Sequence, residues 1–435
     1  MSPAIHPRLG VPGPRYAVLS RWHERYYDIE EQHRKYGATV FTKAGRVDKY
    51  DWLSSRFGND TSVLTSAPDS LHRIRRGALN PLFSRPRILG LQDAIRSKLN
   101  ILIKRLENAK AVQAPAEIQR GFGALSEDVI MRYSFEHDYD SLNKEWWAPI
   151  LHDSLVGVSI LGNTALHFPL LPRVMNALPE SWIGRLGPLY GLIFRMQKDF
   201  GQQIREAKAS IASRSETKEK ESTVFLELIE GDLPDAEKPD RRLRDEAQLV
   251  IAAGLATTAW ALIFARLRLE LDEAIPSYDP ANPTANLKWT QLEKLPYLTA
   301  VIKEAVHLSY STTSRNVRLL PKPFQFSEWT IPARTPDIFP NSKSFVPERW
   351  LESGKTKNGS PLERYFVGFG KGTRSCLGLN LAWCEMYLVS ASLFRFFDLE
   401  LYETDVTDVE FAHDFFIPFP RLDSKGVRVF VKPRK

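Results

Sequence analysis

One loop constrains this chain more than any other stretch. Residues 369–378 read F-G-K-G-T-R-S-C-L-G, a glycine-rich turn that carries one of only two cysteines, Cys376, just ahead of a helical pattern. The thiolate is the form of cysteine that binds a metal, and a helix N-terminus stabilises its charge. Gly370 and Gly372 let the backbone turn sharply and approach a flat ligand. Gly378 withholds a side chain where the helix would abut that ligand. Arg374 offers a planar fork for a carboxylate two residues from the sulfur, and Phe369 can screen the sulfur from water. A thiolate, a flat partner and a carboxylate together describe haem, with iron for the sulfur and propionates for the arginine. The competing reading is a structural cysteine on a core helix, and that is the reading for Cys384, which has no such surroundings.

Two cysteines exclude a disulfide scaffold, a four-cysteine zinc site and a cysteine-ligated iron–sulfur cluster. The 435 residues are 43% hydrophobic and 26% charged with a net charge of +7, an ordinary globular composition. A pI of 9.2 is the only support for a nucleic-acid binder; no basic stripe with interleaved aromatics accompanies it. The N-terminus has no apolar core, so no secretory signal is expected. Residues 247–265 carry no formal charge and are just long enough to cross a bilayer. Gln248, Thr257, Thr258 and Trp260 within them favour a helix buried in a large domain. Residues 6–14, rich in proline and glycine, read as a stiff extended lead-in.

Helical patterns dominate. Residues 87–108 place Ile88, Leu91, Ile95, Leu99, Leu102 and Leu106 at a period near 3.6. Residues 116–135, 190–213, 245–272, 290–309 and 378–397 read as helices too. Residues 214–245 read as a charged surface connection around one short helix. Strand-like pieces fall at 316–320, 324–326, 329–331 and 427–431. The expected class is mainly α with a minor β-sheet.

The cysteine loop resembles the haem-ligand signature of the cytochrome P450 family, F-G-x-G-x-R-x-C-x-G, with every fixed position present. The resemblance covers the whole chain and implies Cys376 as the iron ligand, with Phe369, Gly370, Gly372, Arg374 and Gly378 around haem b. It divides the chain into a hinge at 1–15 and a single haem domain at 16–435. Residues 345–350 (F-V-P-E-R-W) are similar to the family's P-E-R-W element, and residues 303–308 (K-E-A-V-H-L) to its E-x-x-R helix. Family members bury a charge network of these parts, here Glu304 and Arg349, with His307 where the second arginine belongs. Residues 253–258 (A-G-L-A-T-T) resemble the oxygen-activation motif. Thr257 matches the hydroxyl that helps deliver protons, Gly254 the small residue that leaves room for O2, and Thr258 the residue beside them, while Ala256 stands in the place of the acid. His72 and Arg76 have the spacing of the W-x-x-x-R helix and, with Arg318, are candidates for the propionates. A basic helix face that is simply solvated is the competing reading.

The implied activity is a haem-thiolate monooxygenase acting on an apolar small molecule such as a terpenoid or polyketide. The implied electron source is a separate NADPH–cytochrome P450 reductase, since no dinucleotide fingerprint is present. Arg73, Arg75 and Lys371 are candidates to dock it. The tail from Tyr402 and residues 46–57 point to fungal secondary-metabolite members, around the trichodiene oxygenase group. A monomer is expected. An intact family member would sit in the endoplasmic reticulum membrane; this chain, without an N-terminal anchor, is expected to be cytosolic or peripheral to a membrane surface.

Several departures bear on that reading. Histidine at 307 is shorter than arginine and mostly neutral at pH 7, and a buried partner left uncompensated costs about 3–5 kcal/mol. Chain is missing around 40–46, after 265 and after 338, in blocks rather than scattered residues, the pattern of skipped exons or a mis-joined gene model. Missing strands would leave part of the sheet without ladder partners. Two further readings stay open: a P450-fold isomerase, dehydratase or cyclase that does not use O2, motivated by Ala256, and an inactive relative, motivated by His307 and the missing blocks.

Overall fold

The computed structural model describes residues 56–137, 139–145, 150–168, 188–213, 222–262, 282–313, 341–351 and 359–433, with short paired pieces and a few single positions outside them. Its helices are α1 (Asp69–Leu79), α2 (Arg85–Ala111), α3 (Ile118–Phe135), α4 (Ile150–His167), α5 (Pro188–Ser213), α6 (Val224–Glu230), α7 (Asp240–Leu262), α8 (Trp289–Leu292), α9 (Pro296–Leu308) and α10 (Leu379–Phe396).

Helix α2 shows why the periodic reading works. Ser84 leaves the helix in an extended conformation and Pro86 sits in its first turn, where a missing N–H costs nothing. The stripe Ile88, Ile95, Leu99, Leu102 and Leu106 is fully buried, with Leu91 at its edge. Each such side chain contributes about 1.5–3 kcal/mol relative to exposure.

Helix α7 runs through the centre and packs against α3, α4, α5, α9 and α10. This is why residues 247–265 look apolar on every side: among the described residues no helix is long and apolar enough to cross a membrane. The helix begins at Asp240, five residues earlier than its sequence pattern suggests. Residues 263–270 lie outside the described residues.

A small antiparallel sheet closes one side, ordered Ala116–Glu117, Arg428–Pro433, Phe397–Leu401. Its register pairs Leu399 with Val431 and Ala116 with Val429. Val429, Val431 and Phe397 point into the core. The closing strand expected at 427–431 is thus present. Of the strand expected at 316–320, the described residues Arg318–Leu319 form a strand paired with Asp48–Lys49. The strand pieces at 324–326 and 329–331, and the gap at 40–46, lie outside the described residues. In the lead-in, Ala4–Ile5 pairs antiparallel with Pro12–Gly13, so the extended segment turns back on itself. Among the described residues of the charged connection lie the short helix α6, capped by Thr223, whose hydroxyl accepts from the Leu226 N–H, and a three-ten turn at Asp235–Glu237.

Candidate active site

The loop of Cys376 is built by its own backbone. Gly370 has φ 67° and Gly372 φ 77°, left-handed conformations that favour glycine. The Gly370 N–H donates to the Val367 carbonyl and the Cys376 N–H to the Phe369 carbonyl, both at 2.8 Å. Gly378 caps α10. A side chain added at Gly372 or Gly378 would meet nothing within 4 Å, so the loop presents open space on this side.

Cys376 is exposed, yet it lies deep enough that surrounding protein raises its thiol pKa. The Gly378 N–H and the Arg76 charge act against that rise. Cys384 is fully buried, and desolvation pushes its thiol up strongly, which makes it the inert cysteine expected of a core helix.

Helix α1 lies against this loop. Arg76 donates to the carbonyls of Ser375 at 2.9 Å and Cys376 at 3.4 Å, and to Asn80 at 2.6 Å. Its guanidinium therefore holds the cysteine loop itself, a job that helix spacing alone does not reveal. Arg374 reaches across to the carbonyls of Ser66 at 3.0 Å and Ala67 at 3.5 Å. His72 is buried, 5% exposed, one turn before Arg76. The strand of Arg318 pairs with Lys49, whose N–H donates to the same Ala67 carbonyl at 2.8 Å. Arg76 thus touches the cysteine loop directly and Arg374 ties the loop to Ser66 and Ala67, the carbonyl of Ala67 also holding the strand next to Arg318.

Arg75 corrects the docking expectation. It is 7% exposed and pairs with Glu237 at 2.6 Å. Arg242 bridges Glu237 at 3.1 Å and Glu246 at 2.6 Å, and the Glu246 carboxylate accepts from the Val63 N–H. This network ties α1 and residues 59–67 to the start of α7. Of the three proposed docking cations only Arg73 and Lys371 are exposed. The network was invisible in the sequence because its members lie far apart along the chain.

Glu304 on α9 is fully buried. The three-ten turn Pro347–Trp350 surrounds it. Arg349 Nε lies 3.1 Å from one carboxylate oxygen and donates to the other at 3.2 Å. The Val346 N–H donates at 2.9 Å and the Trp350 indole N–H at 2.7 Å. Burial raises the Glu304 pKa while these four contacts oppose the rise. His307 faces the rings of Phe339 and Trp350, and its Nε2 has no hydrogen-bond partner among the described residues. Burial, with the Arg349 charge adding to it, pushes its pKa down to about 4, against a backbone hydrogen bond at Ser342. His307 is therefore neutral and adds no charge to the network. The expected uncompensated glutamate does not arise, because Trp350 and Val346 supply donors.

On α7 the Thr257 hydroxyl donates to the Ala253 carbonyl at 2.8 Å. Ala253 is exposed and Thr257 half-buried, whereas Thr258 is 4% exposed. A Cβ at Gly254 would meet Ile130 of α3 at 3.3 Å. The small residue there lets α7 and α3 approach closely, a packing role its motif position does not announce.

The residues present fit a haem: one exposed thiol, two glycines of its loop facing open space, and the Arg76 charge beside the sulfur. The comparisons with known proteins point the same way. Cytochrome P450 monooxygenase sdnE of Sordaria araneosa is 36% identical over 492 positions, covering 98% of this chain and 93% of that protein. The tryptophan 6-hydroxylase fscE of Fusarium equiseti is 35% identical, covering 98% and 92%. The N-acetyltryptophan 6-hydroxylase ivoC of Emericella nidulans is 32% identical, covering 100% and 93%. A match over 492 positions is longer than the 435 residues here, so that relative carries segments with no counterpart in this chain. A crystal structure of the cytochrome P450 CYP102L1 shares the fold, with a TM-score of 0.64 at 17% identity, covering 89% of this chain and 85% of that one. The family model for cytochrome P450 matches residues 32–423, and with these relatives the chain belongs to the cytochrome P450 family.

Proposed function

We propose that the chain is a haem-thiolate monooxygenase that places one oxygen atom from O2 into a small, largely apolar molecule. The observation that carries this reading is the exposed Cys376 in its glycine turn, with the Arg76 cation beside it to favour the thiolate. Haem bound there would supply the activation of O2. Arg76 and the Phe369 carbonyl fix the cysteine backbone, so the sulfur is held before any ligand arrives. Thr257, half-buried on α7 beside the exposed Ala253, can pass a proton from solvent by exchanging its bond to the Ala253 carbonyl for one to water. Electrons would come from a separate NADPH-dependent reductase, steered to the exposed Arg73 and Lys371.

Two relatives have names that state a substrate, and both are 6-hydroxylases of tryptophan or its N-acetyl derivative. Indole-bearing amino acids therefore join terpenoids and polyketides as first compounds to try. The test is an incubation with NADPH, a fungal reductase and O2, followed by mass analysis. The expected outcome is a product heavier by one oxygen atom, absent with Cys376→Ala. A product formed equally well without reductase or O2 would favour the isomerase or cyclase reading that Ala256 motivates.

A further inference from the structure

We infer that Trp350 is a positioning residue which replaces, through its indole N–H, the second cation that the Glu304 network lacks. The argument starts from hydrogen-bond bookkeeping. A buried carboxylate needs its lone pairs satisfied, and each one left unpaired in a fully buried place is costly. Glu304 is 0% exposed. Arg349 approaches with a single nitrogen, Nε, while its Nη2 is spent on the carbonyls of Asn341 and Ser344, both at 3.2 Å. One guanidinium therefore does not saturate the carboxylate. His307, one turn after Glu304 on α9, is neutral and packs at a tilt against Phe339, ring centres 4.6 Å apart. It gives Glu304 nothing. The Trp350 indole N–H fills the position at 2.7 Å, the shortest of the donors to Glu304.

The same ring reaches the cysteine loop. Trp350 meets Phe366 edge to face at 5.4 Å, and Phe366 meets Phe369 at 6.2 Å. Phe369 supplies the carbonyl that takes the Cys376 N–H. Trp350 thus joins the buried carboxylate of α9 to the loop that holds the thiol, so its placement sets both. A neutral donor is chemically suited to this role. With His307 uncharged, one carboxylate faces one guanidinium and the buried charge cancels.

Trp350→Phe keeps the ring and removes the donor; His307→Arg restores the cation. The unloaded protein's melting midpoint is measured for the parent, both single variants and the double variant, and haem-loaded samples are read by the carbon monoxide difference spectrum. Trp350→Phe is expected to lower the midpoint and the share of thiolate-type band. His307→Arg is expected to raise both in the Trp350→Phe background and not in the parent. Should Trp350→Phe yield no soluble chain, recovery of soluble protein in the double variant supports the inference in the same way. Equal effects of His307→Arg in both backgrounds, or failure of the double variant to recover, would overturn it. The melting arm needs no haem, so its failure is distinguishable from failure of the monooxygenase reading.

Discussion

Thr257 and Thr258 are adjacent in sequence and differ in what they can do. Thr257 faces the open side of α7, and Thr258 is buried. Thr257→Ala is expected to lower the product formed per electron consumed, with little change in melting. Thr258→Ala is expected to cost about 1 kcal/mol of stability and to leave that coupling ratio unchanged. Product yield against NADPH consumption, with melting curves alongside, separates the two. The motif placed both threonines on the right helix, but only the folded face distinguishes them. His307 teaches the same lesson in reverse. Its departure from the motif was plain in the sequence, while the donor that offsets it, Trp350, lies 46 residues from Glu304 along the chain.

At the scale of elements, α1 and the stretch before it act as a clamp. Residues 59–67 accept Arg374 from the cysteine loop through the Ser66 and Ala67 carbonyls. They also meet α7 through Thr61 on Asp245 at 2.6 Å and Val63 on Glu246. Arg75 fastens the same stretch through Ser66 Oγ at 2.9 Å and reaches Glu237. Arg75→Gln leaves Glu237 with fewer partners and is expected to destabilise the protein by about 3 kcal/mol, seen as a lowered melting midpoint. Lys371→Glu, on an exposed side chain, is expected to leave melting unchanged while slowing reductase-driven turnover most at low salt. If Arg75→Gln changed only the salt dependence, the burial of this ion pair would be the wrong account. Helices α2 and α10 were legible because a 3.6-residue stripe is a local signal. The strand Ala116–Glu117 was not, since a two-residue strand is defined by its partner, and the sequence pattern had placed it at the start of a helix. The docking role first suggested for Arg75 fails for a related reason, because charge alone does not reveal burial.

Across the whole molecule, buried titratable groups set how stability varies with pH. Glu385 is 1% exposed and accepts from Ser126 at 2.8 Å; burial lifts its pKa from 4.5 to about 8. Burial likewise lifts Glu127 to about 7, against its bond from Ser141 and the His152 and Leu151 N–H groups. The folded state keeps protons here that the unfolded chain releases. The stability these groups contribute is full below about pH 4.5 and lost as pH rises toward 7 and 8. His307 works in the opposite direction: its folded value near 4 lies below 6.5, so stability is lost as pH falls between those values. Glu385→Gln should flatten the alkaline fall of the melting midpoint and leave the acid limb in place. An unchanged alkaline slope would show that Glu385 is not the group responsible.

The fold class and the cysteine loop could be read from the sequence because both rest on short-range patterns. The donors that complete the Glu304 network and the clamp around α1 form only when distant segments meet. The central claim is that this chain, with histidine at 307 and without segments that a relative carries, holds haem iron through Cys376. The most direct measurement is the carbon monoxide difference spectrum of the reduced protein expressed with haem precursor. The expected result is a Soret band at the thiolate-ligated position that disappears in Cys376→Ala. A protein that takes up no haem, or whose band is that of a protonated or displaced thiol, would contradict it.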